Sequence, residues 1–166
     1  MEQERFYDSK LIDVAILSAI VTALYAAVAL VIGLTHTTNA AADKWKLAYY
    51  IGLFSLQTFS QLSIAFMTGL LIRKSFIALA VFAFYFIIAE PIAVNVLKYK
   101  YKNEIGEFFP LEISHRLLPK PAFIGRINEE AYQASLKAVN YHIAYTLLLI
   151  LITWAFCFWI NSRRDL

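Results

Sequence analysis

Between Leu47 and Leu97 apolar positions dominate, and the only charged residues are Arg73, Lys74 and Glu90. A bilayer crossing needs about 20 predominantly apolar residues in a helix. Four blocks reach that length: Leu11–Leu34, with Asp13 at its edge; Leu47–Ile72, without a charge; Ser75–Leu97, holding only Glu90; and Tyr141–Ile160, holding only His142. Runs this long exceed any strand, and lipid admits only helices or closed barrels. The pattern predicts an all-α polytopic membrane protein, with 1–166 forming a single transmembrane domain of four transmembrane helices.

The connections differ in kind. Thr35–Lys46 reads as a short polar loop and Arg73-Lys74 as a turn, whereas Lys98–Asn140 is long enough for short helices of its own between the third and fourth spans. Pro110 is placed to open one of these, with Glu112 in its first turn and His115-Arg116 at its end. Leu111, Leu117 and Leu118 give it an apolar side suited to the membrane interface. Pro119 and Pro121 stop it. Asn128 reads as an N-cap ahead of Glu129 and Glu130, opening a helix that runs on into Tyr141–Ile160.

Composition sharpens this picture. The chain is 60% hydrophobic and 16% charged, against about 25% charged in soluble domains. Its net charge of +3 is spread between apolar blocks, which argues for topology rather than nucleic-acid binding. Acidic Glu2, Glu4 and Asp8 outweigh Arg5 and Lys10 ahead of the first block, so that block reads as a span and not as a cleaved leader. Cys157 is the single cysteine and sits in an apolar run, where packing is its expected role. Tyr49, Tyr50, Tyr99, Tyr101, Tyr141, Trp154 and Trp159 fall near span ends, as an aromatic belt would. Positive charge does not orient the spans: six basic residues lie on the side of the termini and nine opposite, three of them deep in the long excursion, where they count least.

Few residues carry candidate chemistry. A carboxylate in a span is costly, by about 2.5–3.5 kcal/mol at the helix centre, and Pro91 removes a backbone donor beside Glu90. Glu90-Pro91 reads either as a pathway mouth or hinge, or as a structural contact with Asn95, Asn140 or His142. Gln57 and Gln61 share one helix face, near Ser60 and Thr68. Such a stripe either lines a path or hydrogen-bonds a neighbouring helix. His36, His115 and His142 lack metal-ligand spacing, no phosphate loop G-x-x-x-x-G-K-[ST] is present, and no nucleophile–base motif occurs. The chain reads as non-enzymatic, with no metal or cofactor.

Several segments, in order, resemble the membrane (permease) subunit of type-2 ATP-binding-cassette (ABC) exporters, Bacteroidetes-like permeases in particular. These are Arg5-Phe6-Tyr7-Asp8-Ser9-Lys10-Leu11, Leu53-Phe54-Ser55-Leu56-Gln57 through Ser63-Ile64-Ala65, Leu70-Leu71-Ile72-Arg73-Lys74-Ser75, Ala89-Glu90-Pro91-Ile92, Phe108-Phe109-Pro110-Leu111, Leu117-Leu118-Pro119, and Arg163-Arg164-Asp165-Leu166. Such permeases have six spans; the first two have no counterpart here. The resemblance implies a bacterial inner-membrane, multi-pass location with both termini and the Arg73-Lys74 turn cytoplasmic, and an external Lys98–Asn140 segment. It also implies a separate ABC ATPase subunit docked on Met1–Lys10 through Arg5, Phe6, Tyr7 and Lys10, and a second permease chain, identical or not, completing the membrane path. The alternative is a small four-span scaffold or partner protein, in which Phe6 and Tyr7 merely rest at the lipid interface. A membrane enzyme using Glu90 or His142 is the third reading.

Overall fold

The computed structural model describes residues 2–36, 44–72, 74–102, 104–119 and 129–164, with side chains from 9–32, 48–72, 74–102, 105–119 and 136–163. The described residues are helical or in turns. The elements are α1 (Glu2–His36), α2 (Lys44–Leu71), α3 (Ser75–Phe84), a π-helical turn (Tyr85–Ala89), α4 (Glu90–Lys100), a 3-10 turn (Glu104–Phe108), α5 (Pro110–His115) and α6 (Glu129–Arg164). Ser9–Ile32, Ser75–Lys100 and Leu136–Arg163 are long and apolar enough to cross a membrane.

α2 is not among those three, although it is 28 residues long. Ser55, Gln57, Thr58, Ser60, Gln61 and Ser63 make its middle too polar. The fold accommodates this by centring on α2, which packs against α1, α3, α5 and α6. Buried side chains are nearly as often polar as apolar: Ser18, Thr22, Gln57, Ser60, Ser63, Glu90, Ser114, His142, Thr146 and Thr153 are all enclosed. Large apolar residues such as Ile16, Leu24, Val28, Leu79, Ile87, Leu148 and Leu151 face outward. Water would drive the reverse distribution, whereas lipid leaves polar and small residues to hold helices together.

Two seams join the rods. Ser18 Oγ donates to the Ser55 carbonyl at 3.3 Å, and Tyr25 stacks on Phe54 at 4.0 Å, fixing α1 on α2. Between α2 and α6, Trp154 Nε1 donates to Ser63 Oγ at 2.9 Å, and its ring stacks with Phe59 and Phe66. Trp154 is therefore a core residue, not part of an aromatic belt. Tyr49, Tyr99, Tyr101, Tyr141 and Trp159 are exposed.

The sequence divides Met1–Lys10 from the first span, but α1 runs unbroken from Glu2. α4 runs on to Lys100, and α6 starts at Glu129 and continues through Tyr141–Ile160, as the Asn128 reading expects. Asn128, Arg73 and residues 37–43 lie outside the described residues.

Candidate functional site

The site begins with a proline. Pro91 has no N–H and its ring excludes the carbonyl four residues earlier, so the preceding turn widens: Glu90 N–H bonds the Tyr85 carbonyl, a π-type step. The third rod is thus interrupted where Glu90-Pro91 predicts. Glu90 is 3% exposed and stands roughly 22 Å along the rod from Ser75. Pro91 itself is exposed.

Beyond Lys100 the chain turns back. Lys102 takes a left-handed conformation, φ 49°. The 3-10 turn then descends along α4, so close that a Cβ on buried Gly106 would lie 3.2 Å from Val94 Cα. By Pro110 it has reached the level of Tyr85, Ile64 and Thr68, which share a groove with Pro110. α5 then climbs back, and Leu117 just past its end packs with Leu53 and Val139. Residues 104–117 form a hairpin that folds back along α4 and onto α2.

Phe109 is extended, as a residue before proline should be, and Pro110 occupies the first helical position. The third N–H of a helix is ordinarily capped by the N-cap side chain, and Phe109 has none to offer. Glu90 supplies the acceptor: its Oε1 receives the Glu112 N–H at 2.5 Å. A structural partner was expected among Asn95, Asn140 and His142. Asn95 and Asn140 are exposed, and the partner is instead a backbone amide 22 residues on. The signal was present: a Phe-Pro helix start lacks a cap and needs an acceptor from elsewhere. Tyr85 also sits within electrostatic reach of Glu90.

The apolar side that Leu111, Leu117 and Leu118 give the hairpin turns into the bundle instead of outward. Leu111 and Leu117 are 2% and 0% exposed, Ser114 is fully enclosed, and α5 wedges against both α2 and α6. Its helical ends need many contacts because it is too short to hold itself. Arg116 anchors its exit, pairing with Glu107 at 2.7 Å and Glu112 at 2.9 Å, while His115 stacks on Phe86.

The other candidates cluster on the faces beneath this wedge. On α2, Leu53, Gln57, Gln61, Ile64 and Thr68 follow one another at helical three- and four-residue steps, with Ser60 three after Gln57 and four before Ile64 on the same face. On α6 the same spacing brings His142, Thr146, Ile150, Thr153 and Cys157 inward. Gln57 Oε1, Ser60 Oγ, Gln61 Nε2, Glu90 Oε2 and His142 Nδ1 are all buried without a hydrogen-bond partner in the protein. Thr68 and Thr146 instead satisfy themselves on carbonyls one turn back. Two grooves open on the bundle: one of about 410 Å³ between Ala15, Ser18, Ala19 and Gly52, Ser55, Phe59, and one of about 300 Å³ against Met67, Tyr85 and Phe156. Neither is lined by Gln57, Gln61 or Glu90.

Of the coupling candidates, Lys10 forms an exposed ion pair with Asp13 at 3.3 Å. Arg5, Phe6 and Tyr7 lie on the first turns of α1, their side chains outside the described residues. Comparison with family models, curated proteins and solved structures found no match to this chain.

Proposed function

We propose that this chain is a permease-type subunit of an ABC transporter, or the C-terminal part of one, in a bacterial inner membrane. Its four spans are α1, α2, the α3–α4 rod and α6, with α2 shielded from lipid by the other three. Both termini face the cytoplasm, and the re-entrant hairpin enters from the opposite side. ATP is hydrolysed by a separate ATPase subunit that docks on the start of α1 through Arg5, Phe6, Tyr7 and Lys10. A second permease chain, identical or related, completes the membrane path.

The supporting observation is the Glu90–Glu112 contact. Glu90 belongs to one of the segments that resemble such permeases and Pro110-Leu111 to another, and in the fold the first caps the helix opened by the second. Leu53 and Leu117, from two further such segments, pack in one cluster. Segments that resemble a family separately are here parts of one structural unit.

The test is purification of the tagged full chain from its native membranes in mild detergent. A P-loop ATPase should co-purify and be lost on Arg5→Glu combined with Tyr7→Ala. A chain that remains intact without any ATPase would refute the reading. The enclosure of Gln57 and Glu90 favours a scaffold or partner protein as the second reading; a stable stoichiometric complex with a membrane protein other than an ATPase would establish it.

A further inference from the structure

We propose that the C-terminal end of the α3–α4 rod is a binding surface for an anionic phospholipid. Lys98, Lys100 and Lys102 take the headgroup phosphate, and the stripe of Ile92, Val96 and Tyr99 takes an acyl chain. This goes beyond the transport reading and holds equally for a scaffold, since it needs only that the Ser75–Lys100 rod crosses a bilayer.

Three observations carry it. First, the rod is longer than the hydrocarbon is thick. Ser75–Lys100 has 26 residues, about 39 Å of helix, against a hydrocarbon core of about 30 Å. Counted from Ser75, which follows the basic turn, the helix leaves the hydrocarbon near Asn95, an exposed residue. Lys98, Lys100 and Lys102 therefore stand at headgroup depth. Tyr99 and Tyr101, 76% and 63% exposed, stand beside them where aromatic rings meet the interface.

Second, the charge at that depth is uncompensated. All three lysines are exposed. Among the described residues no ion pair reaches any of them, and Glu107 and Glu112 of the neighbouring hairpin are both held by Arg116. Lys100 Nζ lies 5.8 Å from the Tyr101 ring centroid, a contact that steadies the ammonium without neutralising it. Lys102 is left-handed, with φ 49°, a conformation that glycine adopts more readily than any residue with a Cβ. The chain carries a third ammonium where its backbone would favour glycine. Clustered lysines at a membrane surface attract anionic lipid.

Third, one open face of α4 matches a phospholipid along its length. The face with Glu90 and Val94 is closed, since Glu90 bonds the Glu112 N–H and Val94 lies against Gly106. Ile92, Val96 and Tyr99 follow at four- and three-residue steps on another face, and all three are exposed. Lys100 comes four residues after Val96, at the top of this stripe. The order along the rod is apolar, aromatic, basic, as it is along a lipid from chain to interface to phosphate. An acidic protein segment would suit the lysines but not an apolar stripe at hydrocarbon depth; an anionic lipid suits both.

The experiment offers the purified full chain, in mild detergent, equimolar phosphatidylglycerol and phosphatidylcholine, and counts retained lipid by native mass spectrometry. The native chain should retain phosphatidylglycerol in preference. Combining Lys98→Gln, Lys100→Gln and Lys102→Gln should weaken phosphatidylglycerol binding by about fivefold per lysine, on the order of a hundredfold together, with phosphatidylcholine unchanged. Lys102→Gly should lose its fivefold share while melting at a higher temperature, so that the loss does not come from unfolding. Lys74→Gln, at the opposite end of the rod, should cost less than Lys102→Gly. Glycerol phosphate, which has the headgroup chemistry without chains, should fail to displace the lipid at equal concentration. Unchanged retention in the triple variant overturns the proposal, and an acidic protein lost from that variant instead would assign the surface to a protein. Equal losses in Lys74→Gln and Lys102→Gly, or displacement by glycerol phosphate, overturn it as well, the first by showing only general attraction and the second by removing the acyl chain from the site.

Discussion

Replacing Ser63 or Trp154 tests whether α2 and α6 are joined by a specific polar contact or only by shape. Trp154 Nε1 donates to Ser63 Oγ at 2.9 Å, and Ser63 Oγ donates to the Phe59 carbonyl at 2.7 Å, so the indole feeds a short chain of hydrogen bonds. Ser63 is 1% exposed and Trp154 9%. In Ser63→Ala the indole N–H loses its Ser63 acceptor in an enclosed site. An orphaned buried donor costs about 1–3 kcal/mol, whereas interhelical hydrogen bonds in membrane proteins average about 0.6 and reach about 1.7 kcal/mol. The full enclosure places Ser63→Ala near the top of the second range, about 1–2 kcal/mol. Trp154→Phe also weakens stacking on Phe59 and Phe66, for which about 0.5–1.5 kcal/mol per aromatic pair is typical. Its cost is expected to be larger, about 2–3 kcal/mol on adding the two effects. The double variant should recover a coupling of about 1 kcal/mol, because the orphan no longer exists. Reversible unfolding in mixed detergent micelles, followed by far-ultraviolet circular dichroism, measures all three. Additivity of the two single costs would refute the reasoning.

Glycine substitutions should separate by position. Gly106→Ala places a methyl 3.2 Å from backbone at Val94 and is expected to cost about 1–3 kcal/mol. Gly69→Ala meets nothing within 4 Å and should gain about 0.5–1 kcal/mol of helix propensity; thermal scans of the two variants in one detergent make the comparison. Lys102→Gly should stabilise by about 1 kcal/mol, since φ 49° disfavours any residue with a Cβ, and a lower melting temperature would contradict this. Leu117→Ala removes a fully enclosed side chain between α2 and α6 and should cost about 2–5 kcal/mol, while Leu118→Ala, half-buried beside it, should cost less in the same denaturant titration.

The long rods were legible because apolar length leaves no alternative to helix, and the break in the third rod because proline has no donor. The start of α5 was legible from Pro110 and the acidic residue after it. Its destination was not. Leu111, Leu117 and Leu118 carry the same pattern whether a short helix lies on a membrane surface or folds back into the bundle, since both environments bury one apolar side. Trp154 was misplaced for a related reason: nearness to a span end does not say which face a residue takes, and its position on the inward stripe of α6 decides that. The candidate site was legible as residues but not as an arrangement. Gln57, Gln61, Glu90 and His142 stand out as polar groups in apolar runs, yet the bond that organises Glu90 goes to a backbone N–H, and the uncapped Phe109-Pro110 start that needs an acceptor does not say which residue supplies it.

The order of polarity among the rods explains the fold better than their individual hydropathy. α2 carries Ser55, Gln57, Thr58, Ser60, Gln61 and Ser63 in its middle and packs against α1, α3, α5 and α6. Lipid offers no partner to an amide or hydroxyl, so the least apolar helix is driven to the centre and the more apolar rods become its sheath. α1 illustrates the sheath's economy: Val14, Ser18 and Thr22, one turn apart each, are the buried ones among its described side chains, while Ile16, Leu24 and Val28 stay exposed. The same logic applies to the hairpin. A six-residue helix carrying Glu112 and ending on Arg116 would not enter an apolar interior for its apolar side chains alone, because the hydrophobic gain between two apolar environments is small. It enters because α2 presents polar groups that lipid cannot cover and Glu90 presents an oxygen that a helix start can use. Polar need on both sides orients the hairpin through Glu90 and Glu112, and the packing of Leu111, Ile113 and Leu117 against α2 and α6 then holds it in place.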